Sequence, residues 1–237
     1  MLCVNGITFN MGLAHSPSII SDGLVFYLDA ANTRCYSGSG ITVNGLLGGI
    51  GGTLVNGVGF TSSNNGSFIF DGTNDTTQFT ITNFSNIISV EIWMKMKSFA
   101  ISMPFGFYRH DVYVFSGAIG YNTANANDMY GLTSTQVTNL GLLNQWKHYI
   151  FEMRSDVSYI NNKIYVNGEI QTLSQISGTE SAANRNFNSG NGRISGWLND
   201  NDYNQSMDLS QFKIYNRALT QQEINQNYNA TRKRFGL

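Results

Sequence analysis

A two-residue rhythm constrains this chain more than any other feature. In residues 89–97, SVEIWMKMK, Val90, Ile92, Met94 and Met96 alternate with Glu91, Trp93, Lys95 and Lys97. Successive side chains of an extended strand point to opposite faces, so this run reads as a strand with one apolar face. Its second face is mixed in character and reads as sheet surface open to solvent. The same rhythm recurs in residues 67–75, where Phe68 and Phe70 precede an Asp71-Gly72 turn, and in residues 78–84, where Phe79 and Ile81 share a face. In residues 145–154, Tyr149, Phe151 and Met153 oppose Trp146, His148 and Ile150; in 209–215, Phe212 and Ile214 oppose Gln211 and Lys213, again one dry face and one wet. Residues 23–28 are apolar on both faces, with Leu24, Phe26 and Leu28 on one and Val25 and Tyr27 on the other, as a covered strand would be. Further strands are expected at 112–121, 129–133 and 193–197. Residues 163–166 and 169–173 flank Asn167-Gly168, the pair that a tight hairpin favours.

Only one helix is expected. Thr220 is an N-cap and Glu223, three residues on, completes a capping box, with Leu219 and Ile224 placed as a hydrophobic staple. The helix should run from Gln221 to about Ala230, with Ile224 and Tyr228 as its buried stripe. Many short strands and one terminal helix call for an all-β, two-sheet antiparallel sandwich in one domain over residues 21–237, preceded by an arm at 1–20. The composition agrees: 12% of residues are charged, with 25 Gly and 2 Pro, which suits short strands joined by polar turns.

Charge excludes some partners. With 14 basic and 15 acidic residues there is no field to gather nucleic acid or an anionic membrane. Arg232, Lys233 and Arg234 form one local cationic run, expected as a solvated tail. The N-terminal stretch lacks the basic region and unbroken apolar core of a secretory signal, and no apolar run is long enough to span a bilayer. Cys3 and Cys35 lack a metal-ligand spacing and are expected as free thiols. The glycine-dense run at 45–59 lacks the Lys-Ser/Thr ending of a phosphate cradle and reads as a flexible loop. His15, His110 and His148 are scattered, and Asn-x-Ser/Thr sequons at Asn65, Asn74, Asn83, Asn204 and Asn229 match what a chain this rich in Asn yields by chance.

The candidate ligand-binding residues are Trp197, Asp200, Asp202, Tyr203 and Asn204. Hard oxygen ligands on one loop suit calcium, and an aromatic beside carboxylates and carboxamides suits a sugar ring. The same composition also describes an ordinary hydrophilic loop, and the spacing fits no established calcium loop. The identity of any metal stays open.

Six phrases, GLVFYLDAAN, SFIFDGTND, SVEIWMK, QWKHYIFE, KIYVNGE and FKIYNRALTQQEI, follow one another along the chain. In that order they resemble the laminin-G-like, concanavalin A-like lectin/glucanase superfamily, whose fold is a jelly-roll sandwich. The opening GLVFYLDAANTRCYSGSG and the closing NQNYNATRKRFGL are similar to stand-alone versions of that domain in virion proteins of tailed bacteriophages. The resemblance implies a non-enzymatic structural protein located on a virion, either a capsid decoration or a fibre or tail accessory. Its expected partners are other capsid or tail proteins, further copies of itself and surface glycans, with no nucleic acid and no membrane. No cofactor is expected, although the family sometimes binds calcium. A glycan-binding module is the alternative, and a glycoside hydrolase a remote one. Glucanases of this fold set two carboxylates along one strand, and the corresponding strand here carries Glu91 alone. The stretch TVNGLLGGIGG, where relatives usually carry Trp and Asp, and Thr76, where many carry an aromatic, depart from the family pattern.

Overall fold

The alternating runs pair into two antiparallel sheets packed face to face, in a computed structural model that describes the chain except residues 1–2, 5–6, 9–16, 49–50, 82–84, 108–109, 123–127, 179–186, 188–190 and 198–201. One sheet has the order Glu169–Ile170, Lys163–Val166, Trp146–Arg154, Ile87–Met96, Ser206–Tyr215, Ser67–Asp71, Gly59–Thr61. Its long strand Ser206–Tyr215 pairs with Ser67–Asp71 through its first half and with Leu24–Asp29 through its second. This makes eight strands in all. The other sheet has nine, in the order Ser174–Ser177, Met129–Leu132, Ala118–Asn122, His110–Phe115, Ser102–Phe107, Asn191–Ile194, Thr76–Thr80, Gly52–Val55, Thr42–Val43. Cys3–Val4 and Ile7–Thr8 pair antiparallel with each other.

The inward sets of side chains form the core. Phe26, Phe79, Phe105, Phe107, Phe151 and Phe212 are all buried. Their rings meet mostly tilted or edge to face, as between Phe79 and Phe212 at 5.5 Å and Phe105 and Phe151 at 5.3 Å, the arrangement that the ring quadrupole favours. The expected inward sets Val90, Ile92, Met94, Met96 and Tyr149, Phe151, Met153 are buried here.

The structure corrects several expectations and adds one strand that the sequence reading did not include. Residues 112–121 are two strands, because Ser116 and Gly117 both take positive φ (50° and 80°) and turn His110–Phe115 back onto Ala118–Asn122. Ser102–Phe107 is a strand despite Pro104, which sits where the register shifts between Ser102 and Phe105; a bulge tolerates the missing N–H. A bulge between Ile214 and Tyr215 sets Leu24 opposite Tyr215, among the residues under the terminal helix, instead of on the core face with Phe26 and Leu28. A short helix, Ser134–Asn139, carries its own capping box from Thr133 and Gln136, and the glycine-dense run contributes the strands Gly52–Val55 and Gly59–Thr61.

The larger correction concerns the face expected to be wet. Gln221–Thr231 is a helix, capped by Thr220 and Glu223 as the sequence predicts, and it continues into a 3-10 turn at Arg232–Phe235. Together they lie over the outer face of the eight-stranded sheet. Leu219 and Ile224 pack on Ile150, Tyr165 and Tyr215, while Phe235 stacks on Trp93 with centroids 4.0 Å apart. The Trp93 indole N–H donates to Thr231 Oγ1 at 2.8 Å, and that of Trp146 to Asn64 Oδ1 at 3.0 Å. Glu91, Trp93, His148 and Lys213 therefore have no exposure at all. The alternation identified the face but could not show that the terminal segment, more than a hundred residues beyond Glu91 and Trp93 in sequence, returns to cover it.

The cationic run is likewise no solvated tail. Arg234 donates from Nη1 to Asp29 Oδ1 at 2.8 Å, from Nε to Asn64 O at 2.6 Å, and from Nη2 to Gly66 O at 2.8 Å and to Ser210 Oγ. A planar fork with several fixed donors is what guanidinium chemistry provides. Arg232 lies over the Tyr228 ring.

Candidate functional site

The loop that follows Asn191–Ile194 is aimed by its backbone. Ser195 and Gly196 take positive φ (65° and 97°) and reverse the chain. Gly196 N donates to Met103 O at 2.9 Å, Trp197 N to Asp202 O at 3.3 Å and Met103 N to Tyr203 O at 2.7 Å, so both stems are held against the start of Ser102–Phe107. Below them Gln205 is fully buried, accepting from Ser102 Oγ at 2.6 Å and donating to Ser98 O at 2.9 Å.

This clamp sets Trp197 and Tyr203 on the outer face of the nine-stranded sheet. Val112 and Val114 point into the core and Tyr113 points out. Around Tyr113 a second apolar cluster forms from Met103, Ala118 and Met129, with Phe115, Ile176 and Trp197 packed at its margin. Tyr113 and Phe115 stack 6.0 Å apart, and Tyr203 meets Tyr113 edge-on at 6.1 Å. Tyr203 is 37% exposed and has a φ of 62°, a backbone conformation unfavourable to an aromatic residue. Tyr113 is itself buried, and that burial, with Tyr203 alongside, pushes its hydroxyl above the ordinary pKa.

Of the predicted site residues, Trp197, Asp202 and Tyr203 come together here, with Asp202 exposed. Asn204 faces inward: only 8% exposed, it donates from Nδ2 to Asp75 O at 3.0 Å. Its Oδ1 is buried and meets no donor among the described residues. Asp200 lies outside the described residues. Asp71 and Asp75 are spent on their own turn: Asp71 Oδ1 accepts from Thr73 N at 2.7 Å and Asp75 Oδ2 from Asp71 N at 3.1 Å. Among the described residues no three His, Cys, Asp or Glu side chains gather in a way that could hold a metal ion.

Strand register adds residues that the sequence did not suggest. Thr53, Gln78, Arg193, Gly106, Asp111 and Asn122 are successive cross-strand partners in one row on the outer side of the sheet, with Thr53 and Gln78 exposed, Asn122 half-buried and Arg193, Gly106 and Asp111 buried. Next to it runs a row of Tyr113, Gly120, Gly131 and Ser174. A Cβ on Gly120 would lie 2.3 Å from Tyr130 O, so the floor beside Tyr113 is bare backbone. No two members of the polar row are neighbours in sequence, which is why only the topology reveals it.

The glycosidase candidate Glu91 is placed very differently. Its Oε1 accepts from Lys213 Nζ at 2.6 Å and its Oε2 from Asn227 Nδ2 at 2.6 Å. Tyr215 Oη lies 3.4 Å from Oε2, and His148 Nε2 lies 3.1 Å from Oε1 but off the line of a hydrogen bond. Burial alone would push this carboxyl up, but the Lys213 ammonium and His148 outweigh it and hold it below its ordinary range. Sealed beneath the terminal helix, Glu91 meets no substrate in this arrangement.

The family model for the concanavalin A-like lectin/glucanases superfamily matches residues 71–225. The chain belongs to that superfamily. No curated protein matches the chain. Solved structures similar to this superfamily member include the receptor binding domain of botulinum neurotoxin C/D mosaic serotype, with a TM-score of 0.60 and 15% identity over 88% of this chain and 51% of that one. The serotype D botulinum neurotoxin ligand binding domain, solved in complex with N-acetylneuraminic acid, gives 0.58 and 15% over 87% and 50%. The binding domain of Paraclostridial Mosquitocidal Protein 1 gives 0.60 and 14% over 88% and 52%. The chain spans about half the length of these structures. At such identities the likeness concerns the fold alone.

Proposed function

We propose that this sandwich is a non-enzymatic adhesion module that binds a glycan on the outer face of its nine-stranded sheet. The observation that carries this reading is the aromatic ledge of Trp197, Tyr203 and Tyr113 beside a row of Gln78, Arg193, Asp111 and Asn122. A sugar ring offers apolar C–H faces to aromatic rings and hydroxyls to carboxamides; here Tyr203 and Gln78 are exposed and Trp197 and Asn122 half-buried, while Tyr113, Asp111 and Arg193 are buried and act as their support. On the other sheet the terminal helix and its 3-10 turn occupy the outer side of Trp93, Ile150, Tyr165 and Tyr215. A non-enzymatic role is supported by the burial of Glu91 against Lys213. A neighbour in fold solved with N-acetylneuraminic acid agrees with a glycan as the ligand class. Calcium assistance would rest on Asp202 and Asp200. A glycan array read with and without chelator tests the reading: binding that Tyr203→Ala and Gln78→Ala abolish supports it, and silence in both conditions sinks it.

A second reading, display on the virion of a tailed phage as a capsid decoration or a fibre or tail accessory, is favoured by how the N-terminal segment joins the domain. Gln226 Nε2 donates to Ser18 O at 2.7 Å and Ile20 N donates to Asn227 Oδ1 at 2.8 Å. The arm thus enters on the helix side, opposite the aromatic ledge. Attachment and self-association through the arm would leave the ledge facing outward. Immunogold labelling of the source particles checks this role, and unlabelled particles would refute it.

A further inference from the structure

A dry polar cluster lies beneath the terminal helix, on the opposite sheet from the aromatic ledge. Glu91, Lys213 and Asn227 have no exposure, although each is polar and two are charged. A buried ion pair is a weak source of stability, because desolvation offsets most of the attraction. Here, moreover, one carboxylate holds an amine and a carboxamide at once, at 2.6 Å on its two oxygens. The carboxamide is oriented by its partners: Oδ1 accepts from Ile20 N at 2.8 Å, while Nδ2 donates to Glu91 Oε2 and to Tyr215 Oη at 3.0 Å. An electrophilic carbonyl is thereby polarised by an N–H, and its amino group rests on the same carboxylate as a primary amine.

We propose that Lys213 and Asn227 form a spontaneous intramolecular isopeptide bond, with Glu91 as the proton carrier. The Lys213 ammonium gives one proton to Glu91, and the freed amine attacks Asn227 Cγ. The Nζ–Cγ bond forms, and the negative charge that develops on Oδ1 meets the Ile20 N–H already pointed at it. Glu91 delivers a proton to Nδ2, the Cγ–Nδ2 bond breaks and ammonia leaves. Nζ gives up its second proton to Glu91, so the products are a neutral amide, ammonia and a protonated Glu91, balancing the initial charge pair. No oxidant, reductant or metal is required. The first transfer runs along the 2.6 Å contact between Lys213 Nζ and Glu91 Oε1, and the departure of ammonia draws it forward.

Gln211 also offers its carbonyl to Lys213 Nζ, at 3.2 Å, but its Nε2 is held by Asp29 at 2.6 Å. No single carboxylate there touches both the attacking and the leaving nitrogen, so Asn227 is the assigned partner. The bond would join the strand Ser206–Tyr215 covalently to the terminal helix, and it is independent of what the aromatic ledge binds.

Mass spectrometry of the intact protein decides the matter. The expected mass is lower, by one ammonia, than that calculated from the sequence after any initiator methionine is removed. Tandem spectra should contain a branched peptide joining Lys213 to Asn227. Glu91→Gln and Asn227→Ala should each show their full calculated mass. A wild-type protein at its full mass overturns the proposal even if neither variant folds, and so does an ammonia loss mapped elsewhere, whether to Gln211 or to Asn167-Gly168.

Discussion

Trp93 and Phe235 lie face to face, with centroids 4.0 Å apart and planes within 14°. One comes from the middle of the eight-stranded sheet and the other from the last turn of the chain. Removing the Phe235 ring exposes Trp93 and opens a cavity against Trp146, whose ring centroid lies 5.0 Å from that of Phe235. Phe235→Ala should cost about 3 kcal/mol, as truncations of buried aromatics do, read as a lower urea midpoint with an unchanged slope. An unaltered midpoint would mean that the 3-10 turn does not hold the sheet.

Arg234 is expected to be irreplaceable by lysine. Its fork reaches Asp29, Asn64, Gly66 and Ser210, whereas an ammonium is a single point of charge. Arg234→Ala leaves Asp29 uncompensated in a nearly closed site and should cost about 3 kcal/mol. Arg234→Lys should recover less than half of the lost thermal stability. Full recovery would reduce the site to simple charge pairing.

The helix start should weaken in acid. Bidentate Arg217, at 2.9 and 2.7 Å, holds the Glu223 carboxyl down at about 2 from its ordinary value near 4.5, helped by the Thr220 N–H. A depressed folded-state pKa contributes stability that is fully present above the unfolded value and lost as pH falls through the folded one. Wild type should therefore lose more stability than Glu223→Gln between pH 5 and pH 2, on the order of 1 kcal/mol. Parallel pH profiles of the two proteins would exclude this.

Tyr203 separates display from stability. Its ring is exposed and its φ of 62° suits glycine better than tyrosine. Tyr203→Gly should hold the melting temperature or raise it slightly, by up to about 1 kcal/mol equivalent, while abolishing glycan capture. A large loss of stability would show that the ring is a packing element and the positive φ no sign of function.

Much of the sandwich was legible because its strands obey a strict alternation. Phe212, Ile214, Leu219 and Ile224 are buried where the pattern placed them, and the Thr220–Glu223 capping box is present. The strand carrying Pro104 was hidden because proline argues against a strand, and the Ser116-Gly117 hairpin was hidden because alternation runs on through the turn. Glu91, Gln211 and Lys213 read as solvent-facing by composition. Their burial depends on Asn227, Tyr228, Thr231 and Phe235, and no local pattern carries that distance. At the candidate site, Trp197 and Tyr203 stood out through their unusual neighbours. Tyr113 and the row from Thr53 to Asn122 did not, since cross-strand register alone brings them together.

Ser18 and Ile20 touch the same helix that carries the chain to Phe235. A tether at either end of the described sandwich therefore emerges on one side of it. Coupled to a sensor chip or a bead through an affinity tag, the molecule would stand with the sheet bearing Tyr203 turned toward the analyte, whichever end carries the tag.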